Sequence, residues 1–464
     1  MGRLFHLIRA SKSLRQTQSL SRPDMLALQE QRWRSLARHA LATSPFYRRH
    51  LAGIDPDRCS LKDIPPLTKP MLVEHWDEIV ADPRLHRARL EAYLDDRRNW
   101  GKLLHGRWMV CKTSGSSGPA ITLAHDIESL DWMHAVHSVR NGPEAAQSHH
   151  PTRHPFRRRP RLVAFVRGSS PSASAALYHT RPWVGALFTQ NFCINATLPW
   201  EQMRRRLQEL QPDVLIVYAS MLERLALAQL AGELRLDFSR PGAAISTGGD
   251  MLTPGLRDLC RRAFGHEPLN VYGAAESPAI ARQWKGMDHL TLLEDLTVFE
   301  SVGVDDQDVP EGEASDHVLV TPLINRAVPL LRYRLNDRVR LGPVQPGWPF
   351  RRIDSLLGRT AITYVFQVPE KRIVVGLDLL KGLDGDPRLT DTQVRQTGHA
   401  SIECLFRVAD GVSGPDVAAE IMANMRSYLD ERDCQQVSCT TRQVTFLEPD
   451  PATGKVERWI PFKA

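Results

Sequence analysis

Apolar positions along this 464-residue chain follow a helical period at first. They then alternate between short apolar runs and helical stretches, and end in strand-like runs. Leu26, Leu28, Trp33, Leu36 and Leu41 fall on a helical drift over 23–52 that Ser44 and Pro45 stop. Pro65, Pro66 and Pro70 break the chain, and 71–96 carries shorter helical patterns. Trp108–Cys111 and Ile121–Leu123 read as strands joined by a Gly/Ser loop. A helix over 127–140 follows, with Leu130, Met133 and Val136 on one side. The His-, Pro- and Arg-rich stretch 141–160 has no period and is expected to be an exposed loop.

From 161 to 272 the pattern is that of a covered parallel sheet. Apolar runs at Leu162–Val166, Val214–Tyr218, Ala243–Ser246 and Leu269–Tyr272 alternate with helical segments. Met203, Leu207 and Leu210 mark one helix, and 221–231 and 255–264 two more. After 290, short runs at 290–300, 317–324, 330–335 and 338–341 have no helices between them, as expected of an antiparallel or barrel-like section. Strand-like runs at 361–366, 401–408 and 443–447, with a helix near 415–430, predict a small α+β unit. The fold class is therefore α/β. A large N-terminal domain (1–355) would hold parallel sheets flanked by helices plus the barrel-like section, and a small α+β domain (356–464) would follow, with the boundary near Asp354–Thr360.

Composition narrows the function classes. With 42% hydrophobic and 24% charged residues, a chain of this length buries a core readily, which excludes disorder. No apolar run reaches 18 residues, so a spanning helix is not expected. The net charge of +7, from 60 Lys+Arg against 53 Asp+Glu, suits an anionic ligand without requiring nucleic acid. Much of the excess sits in Arg153, Arg157, Arg158, Arg159 and Arg161. Seven scattered cysteines without a CxxC pair point to free thiols in a reducing cytoplasm, and Cys434 with Cys439 lacks the second ligand pair a zinc site needs. The first 20 residues, with Arg9, Lys12 and Arg15, read as a basic amphipathic or frayed arm. His6 and Arg9 interrupt any signal-peptide core, and His6 stands where a myristoylation pattern needs Ser or Thr.

Four short segments carry chemistry. Thr113–Ser114–Gly115–Ser116–Ser117–Gly118 combines flexible glycines with three or more hydroxyls that suit phosphate oxygens. It is not a Walker loop, because no Gly-Lys-Ser/Thr follows. Tyr272–Gly273–Ala274–Ala275–Glu276–Ser277 stands at the carboxyl end of an expected strand, where open parallel sheets bind ligands. Its ring would stack on a base and its carboxylate would hold Mg²⁺. Tyr333–Arg334–Leu335–Asn336–Asp337 offers a carboxylate for the two hydroxyls of a ribose, and Gly454–Lys455 a cation near the C-terminus. Alone, each has a plain alternative: a flexible loop, an ordinary turn, a surface ion pair, a solvated lysine.

In this order the four segments, with Gly358–Arg359 between the last two, resemble the adenylate-forming superfamily, in its phenylacetate–CoA ligase-like branch. Leu36–Arg48, Leu67–Lys69, Pro212–Leu222 and Ser246–Thr253 are similar to further segments of that branch. The resemblance implies ATP-dependent activation of a small carboxylic acid, expected to be aromatic, to acyl-AMP with release of pyrophosphate. Transfer to coenzyme A, a carrier-protein thiol or an amine would follow, in a cytoplasmic enzyme whose small domain is a mobile lid. It implies that Thr113, Ser114, Gly115, Ser116, Ser117 and Gly118 hold phosphates. Gly248, Gly249 and Asp250, with Tyr272, Gly273 and Ala274, would surround adenine. Glu276 would bind Mg²⁺, Asp337 the ribose, Arg359 would lie at the hinge, and Lys455 would bridge the substrate oxygen and the α-phosphate. Tyr218, Trp183, Phe188, Phe192 and Ala275 are candidates for the substrate pocket, and His179 and Arg181 for a polar substituent. Pro119–Ile121 replaces the lysine usual after the loop, and Thr360–Thr363 the usual acidic hinge residue. Adenylation of a phenolic hydroxyl or of nitrite therefore stays open, while Glu276, Asp337 and Lys455 argue against the further alternative of a non-catalytic nucleotide-binding relative. A homodimer also stays open.

Overall fold

The computed structural model describes residues 2–113, 120–140, 159–166, 171–181, 187, 189–240, 242–249, 252–344, 347–359, 363–375, 379–380, 383, 386, 388–448, 456–460 and 462. The chain opens with helices α1 (Gly2–Gln18), α2 (Arg22–Thr43) and α3 (Pro45–His50). Ser21 and Ser44 cap α2 and α3 through their side chains, each followed by a proline in the first turn. Of the basic amphipathic or frayed arm expected here, the frayed alternative does not hold: the segment is a docked helix. Arg3 donates to Asp131 Oδ1 (2.8 Å) and to the Thr180 carbonyl (3.0 Å), and Thr17 Oγ1 donates to Asp295 Oδ2 (2.6 Å). Asp295 also takes the fully buried Arg140 guanidinium, whose Nη1 lies 3.2 Å from Oδ1. These partners lie far off in sequence, so no local period announces them.

Short helices α4 (Lys69–Glu74), α5 (Trp76–Ile79) and α6 (Arg87–Asp95) follow. Next comes a three-stranded antiparallel sheet of β1 (Leu103–Leu104), β2 (Trp108–Lys112) and β3 (Thr122–Asp126). Helix α7 (Ile127–Val139), capped by Asp126, lies beyond it.

The main sheet has nine strands in the order β14-β15-β10-β9-β8-β7-β6-β4-β5. Its parallel half comprises β4 (Arg161–Val166), β5 (Gln190–Asn195), β6 (Val214–Val217), β7 (Ala244–Gly248) and β8 (Leu269–Tyr272). Helices α8 (Ala173–His179), α9 (Trp200–Leu210), α10 (Ala219–Leu230) and α11 (Pro254–Phe264) form the crossovers, as parallel strands require. Its antiparallel half comprises β9 (Ala281–Gln283), β10 (Leu290–Leu292), β14 (Asp337–Gly342) and β15 (Arg352–Arg359). Between them β11 (Thr297–Val302), β12 (His317–Pro322) and β13 (Tyr333–Leu335) make a separate antiparallel sheet. The antiparallel strands expected after 290 are thus divided between a second sheet and an extension of the parallel one.

The C-terminal part has a hairpin, β16 (Thr363–Gln367) and β17 (Lys371–Val375). A four-stranded sheet follows, with β18 (Leu389–Gly398), β19 (Ser401–Val408), β20 (Ser438–Gln443) and β21 (Trp459–Ile460), and helix α12 (Gly414–Asp430). The strand expected at 443–447 ends instead at Gln443, and β18 lay outside the expected strands. This part has its own apolar core, including Phe366, Val394, Phe406, Ile421 and Leu429. It touches the body where Arg407 pairs with Glu223 of α10 and where Arg262 of α11 lies 3.3 Å from Asp410.

The body has two main cores. One joins helices α2, α3 and α7 to β2, β3 and residues 272–353, and the other is built within 163–264. None of the seven cysteines is in a disulfide. No described helix is long and apolar enough to cross a membrane.

Candidate active site

Strands β4, β6, β7 and β8 run parallel, so their carboxyl ends open on one side. A cavity of ≈ 340 Å³ lies there, reaching Val166, Val217, Gly248 and Val271. Its rim is built from the segments singled out in sequence, each placed by a local device. Thr113 pins the base of the Ser/Gly loop: its N–H donates to the Ile121 carbonyl, and its hydroxyl oxygen accepts the Ile121 N–H, both at 2.9 Å. Gly249 has φ +81°, a conformation L side chains avoid. A Cβ at Gly273 would stand 2.5 Å from the Pro278 carbonyl oxygen, so the turn after β8 closes only over glycine. That turn is held by reciprocal backbone bonds between Ala274 and Ser277, at 3.0 and 3.1 Å.

The turn presents Glu276, which is 8% exposed. The Tyr333 hydroxyl donates to its Oε1 at 3.3 Å, and both residues line the cavity. Burial, then the Glu276 charge, pushes the Tyr333 pKa up, so the phenol stays protonated. Behind the turn, His125 Nε2 donates to the Ala275 carbonyl at 2.9 Å, with Asn325 Nδ2 3.3 Å from its Nδ1. Burial lowers the His125 pKa and keeps the ring neutral, which that pattern needs. His125 escaped the sequence reading, since a lone histidine in a strand carries no signal of its own.

Asp337 lines the cavity from the start of β14, and Tyr272 donates its hydroxyl to Asp337 Oδ2 at 2.8 Å. The Tyr272 ring is buried and meets Phe299 edge-on, with centroids 6.3 Å apart. It therefore orients a carboxylate rather than offering a face to a base. Arg359 is the cross-strand partner of Asp337 in the β14–β15 register. Leu67 pairs with Tyr333, which carries Lys69 to the cavity, and Lys112 and Arg334 add two more cations.

The opposite wall is apolar: Phe165, Ala173, Leu177, Ile216 and Tyr218, the last with its hydroxyl 3.2 Å from Ser174 Oγ. His134, His137, Tyr178 and Arg181 complete the lining. Neither histidine was read as a site residue, because on the α7 pattern both resemble ordinary half-buried positions.

The cavity thus gathers Thr113, Gly248, Gly249, Gly273, Ala274, Ala275, Glu276, Asp337, Tyr218 and Arg181. Phe192 is not among them: it sits on the edge strand β5 and packs against the second core. His179 is exposed and packs against Gly101. Ser114, Gly115, Ser116, Ser117, Gly118, Asp250, Trp183, Phe188 and Lys455, the side chain of Arg359, and most of the arginine-rich loop lie outside the described residues. The segment after Lys455 is fastened to β18: the Val394 N–H donates to the Arg458 carbonyl (2.7 Å), and Arg458 pairs with Asp391 (2.7 Å).

No protein-family model matches the chain. Phenylacetate-coenzyme A ligase of Escherichia coli (strain K12) is 25% identical over 350 residues, which span 73% of this chain and 71% of that protein. Protein CapK of Staphylococcus aureus is 23% identical over 377 residues, spanning 77% and 72%. Among solved structures, 2-hydroxyisobutyryl-CoA ligase in its postadenylation state with 2-HIB-AMP is similar in fold. Its TM-score is 0.65 at 15% identity, over 96% of this chain and 91% of that one.

Proposed function

We propose that this chain, an adenylate-forming ligase of the phenylacetate–CoA ligase-like branch, activates a small, aromatic acid with ATP. The acyl-AMP would then pass to a thiol, of coenzyme A or a carrier protein, or to an amine. One observation carries the reading. A single cavity joins the base of the Ser/Gly loop, the glycine pair, the Glu276 turn and Asp337 to an apolar wall with Phe165 and Tyr218. A nucleotide and an apolar acid would fit there side by side.

In the proposed reaction a carboxylate oxygen attacks the α-phosphorus. The new P–O bond forms as the α–β bridge breaks, and pyrophosphate leaves with the electron pair. The loop from Thr113 to Gly118 would hold the departing phosphates. The Thr113 hydroxyl oxygen already accepts a backbone bond, which leaves its hydrogen free to donate to a phosphate oxygen. Lys69, Lys112 and Arg334 would offset the phosphate charge in place of the lysine missing after the loop. Gly248, Gly249 and Asp250, with Gly273 and Ala274, would border the adenine, and Asp337, oriented by Tyr272, would accept both ribose hydroxyls.

Glu276 would take Mg²⁺. Among the described residues no three His, Cys, Asp or Glu side chains converge on a metal position. That donor set suits an ion held by one carboxylate, phosphate oxygens and water, which is how Mg²⁺ commonly binds beside nucleotides. Bound there, it would neutralise charge developing on the phosphates. Lys455 would stabilise the α-phosphoryl oxygens during the first half-reaction. In the second, the acceptor sulfur or nitrogen attacks the acyl carbon, the bond to AMP breaks, and the acceptor's proton passes to solvent.

The test is ATP–pyrophosphate exchange across aryl acids, aliphatic acids, amino acids, phenols and nitrite, with product mass measured with and without coenzyme A. Exchange with an aryl acid is expected. Lys455→Ala should lower it by roughly 10²–10³ with little change in ATP affinity. Undiminished exchange in that variant would remove the lysine assignment, and exchange with nitrite or a phenol alone would replace the acid.

A further inference from the structure

The cavity wall farther along α7 carries polar groups that activation of a carboxylate does not use. His134 on α7 and Tyr178 on α8 both line it, and Arg181 joins them, its guanidinium 5.4 Å from the centre of the Tyr178 ring. Two buried atoms here have no hydrogen-bond partner: His134 Nε2 and the Tyr178 hydroxyl. Orphaned polar atoms are uncommon in folded proteins because each forfeits its hydration without compensation. Two in one apolar-walled cavity mark a place completed by a ligand.

The chemistry of the missing partner follows from the orphans. His134 is tied to the Thr180 backbone. Since Nε2 is the unpartnered nitrogen, we assign the tie to Nδ1, donating to the carbonyl. In a neutral imidazole this leaves Nε2 as an acceptor. Burial, then the charges of Arg181 and Arg3, pushes the ring's pKa down to about 3, so it stays neutral at physiological pH. Nε2 therefore calls for a donor. Burial also raises the Tyr178 pKa, which keeps its hydroxyl able to donate as well as accept. A hydroxyl group, or the neutral amino group of an aryl amine, satisfies both. An ammonium does not, because Arg181 and Arg3 repel it.

Building on the proposed activation of an acid, we propose that His134 and Tyr178 are specificity-determining residues. They would select an acid whose body carries a hydroxyl or uncharged amino group, hydrogen-bonded to His134 Nε2 and the Tyr178 hydroxyl. A site built to bond such a group rejects the analogue lacking it, because the site's own polar atoms are then left unpaired.

The experiment uses the full chain in ATP–pyrophosphate exchange with matched pairs: hydroxy- or amino-substituted benzoates and phenylacetates against their unsubstituted parents, and hydroxyalkanoates against alkanoates. The substituted member of at least one pair is expected to have kcat/KM higher on the order of 10³-fold. In His134→Phe and Tyr178→Phe this ratio should contract to within about tenfold, with exchange on the unsubstituted acid retained or raised. His134→Gln, whose side-chain oxygen can again accept, should restore most of the preference. The ATP-induced rise in Tm, followed in every variant, shows that the nucleotide end stays folded. Exchange without preference in the wild type, or a preference that survives His134→Phe, overturns the proposal and leaves adenylation intact. Exchange with no acid at all overturns the adenylation reading itself.

Discussion

Tyr272 shows what a residue's position leaves unsaid. Its place at a strand end was legible, and the ring suggested stacking, yet the structure spends the ring on Phe299 and the hydroxyl on Asp337. The reason is geometric: the inward side of β8 belongs to the core, so only the hydroxyl reaches the site. Tyr272→Phe should therefore raise KM for ATP by roughly 10- to 150-fold, the range of one hydrogen bond to a charged group, with kcat nearly unchanged. Steady-state kinetics at varied ATP checks this, and an unaltered KM would remove the positioning role. That Glu276 and Asp337 come to the cavity was readable because their spacing within short segments is itself a signal. His134 and His137 were not, because they meet the cavity only after α7 packs, and neither was His125, which reaches the back of the Glu276 turn only once β3 is in place.

At the scale of elements, the continuous apolar runs of β4, β6, β7 and β8 announced themselves, since strands covered on both faces need such runs. β5 did not: Gln190–Asn195 is mixed in polarity, as an edge strand with one open side permits. Helix α8 was equally silent, its short, alanine-rich sequence giving little apolar period. Helix α1 is the instructive case, because polar groups dock it. Asp295 receives Thr17 and Arg140, and the Arg140 and Asp295 side chains are both fully buried. Removing one partner strands the other charge in the core. Asp295→Ala should accordingly cost about 3–5 kcal/mol of stability, measured by urea unfolding. A loss below about 1 kcal/mol would show that the Asp295 cluster does not hold α1, leaving Arg3 and the apolar contacts to dock it.

At the scale of the molecule, the two main cores of the body differ in how the chain supplies them. Among the described residues the second is drawn from 163–264, whereas the first joins residues 10–139, with Ala176 of α8, to 272–353 across it. Leu67 bonds to Arg332, and Tyr47 reaches the Pro329 carbonyl at 3.0 Å, contacts closed only over very long loops. During synthesis, the early helices must wait for partners translated up to 282 residues later, their apolar faces uncovered meanwhile. The segment between can condense as soon as it emerges. Pulse-labelled hydrogen exchange during refolding should then protect amides of β4, β6 and β7 before those of β2 and β3, and simultaneous protection would contradict it. The interleaving makes the ribosome-bound N-terminal third a client for holding chaperones, and it makes the interior segment the part of this protein best suited to nucleate the rest.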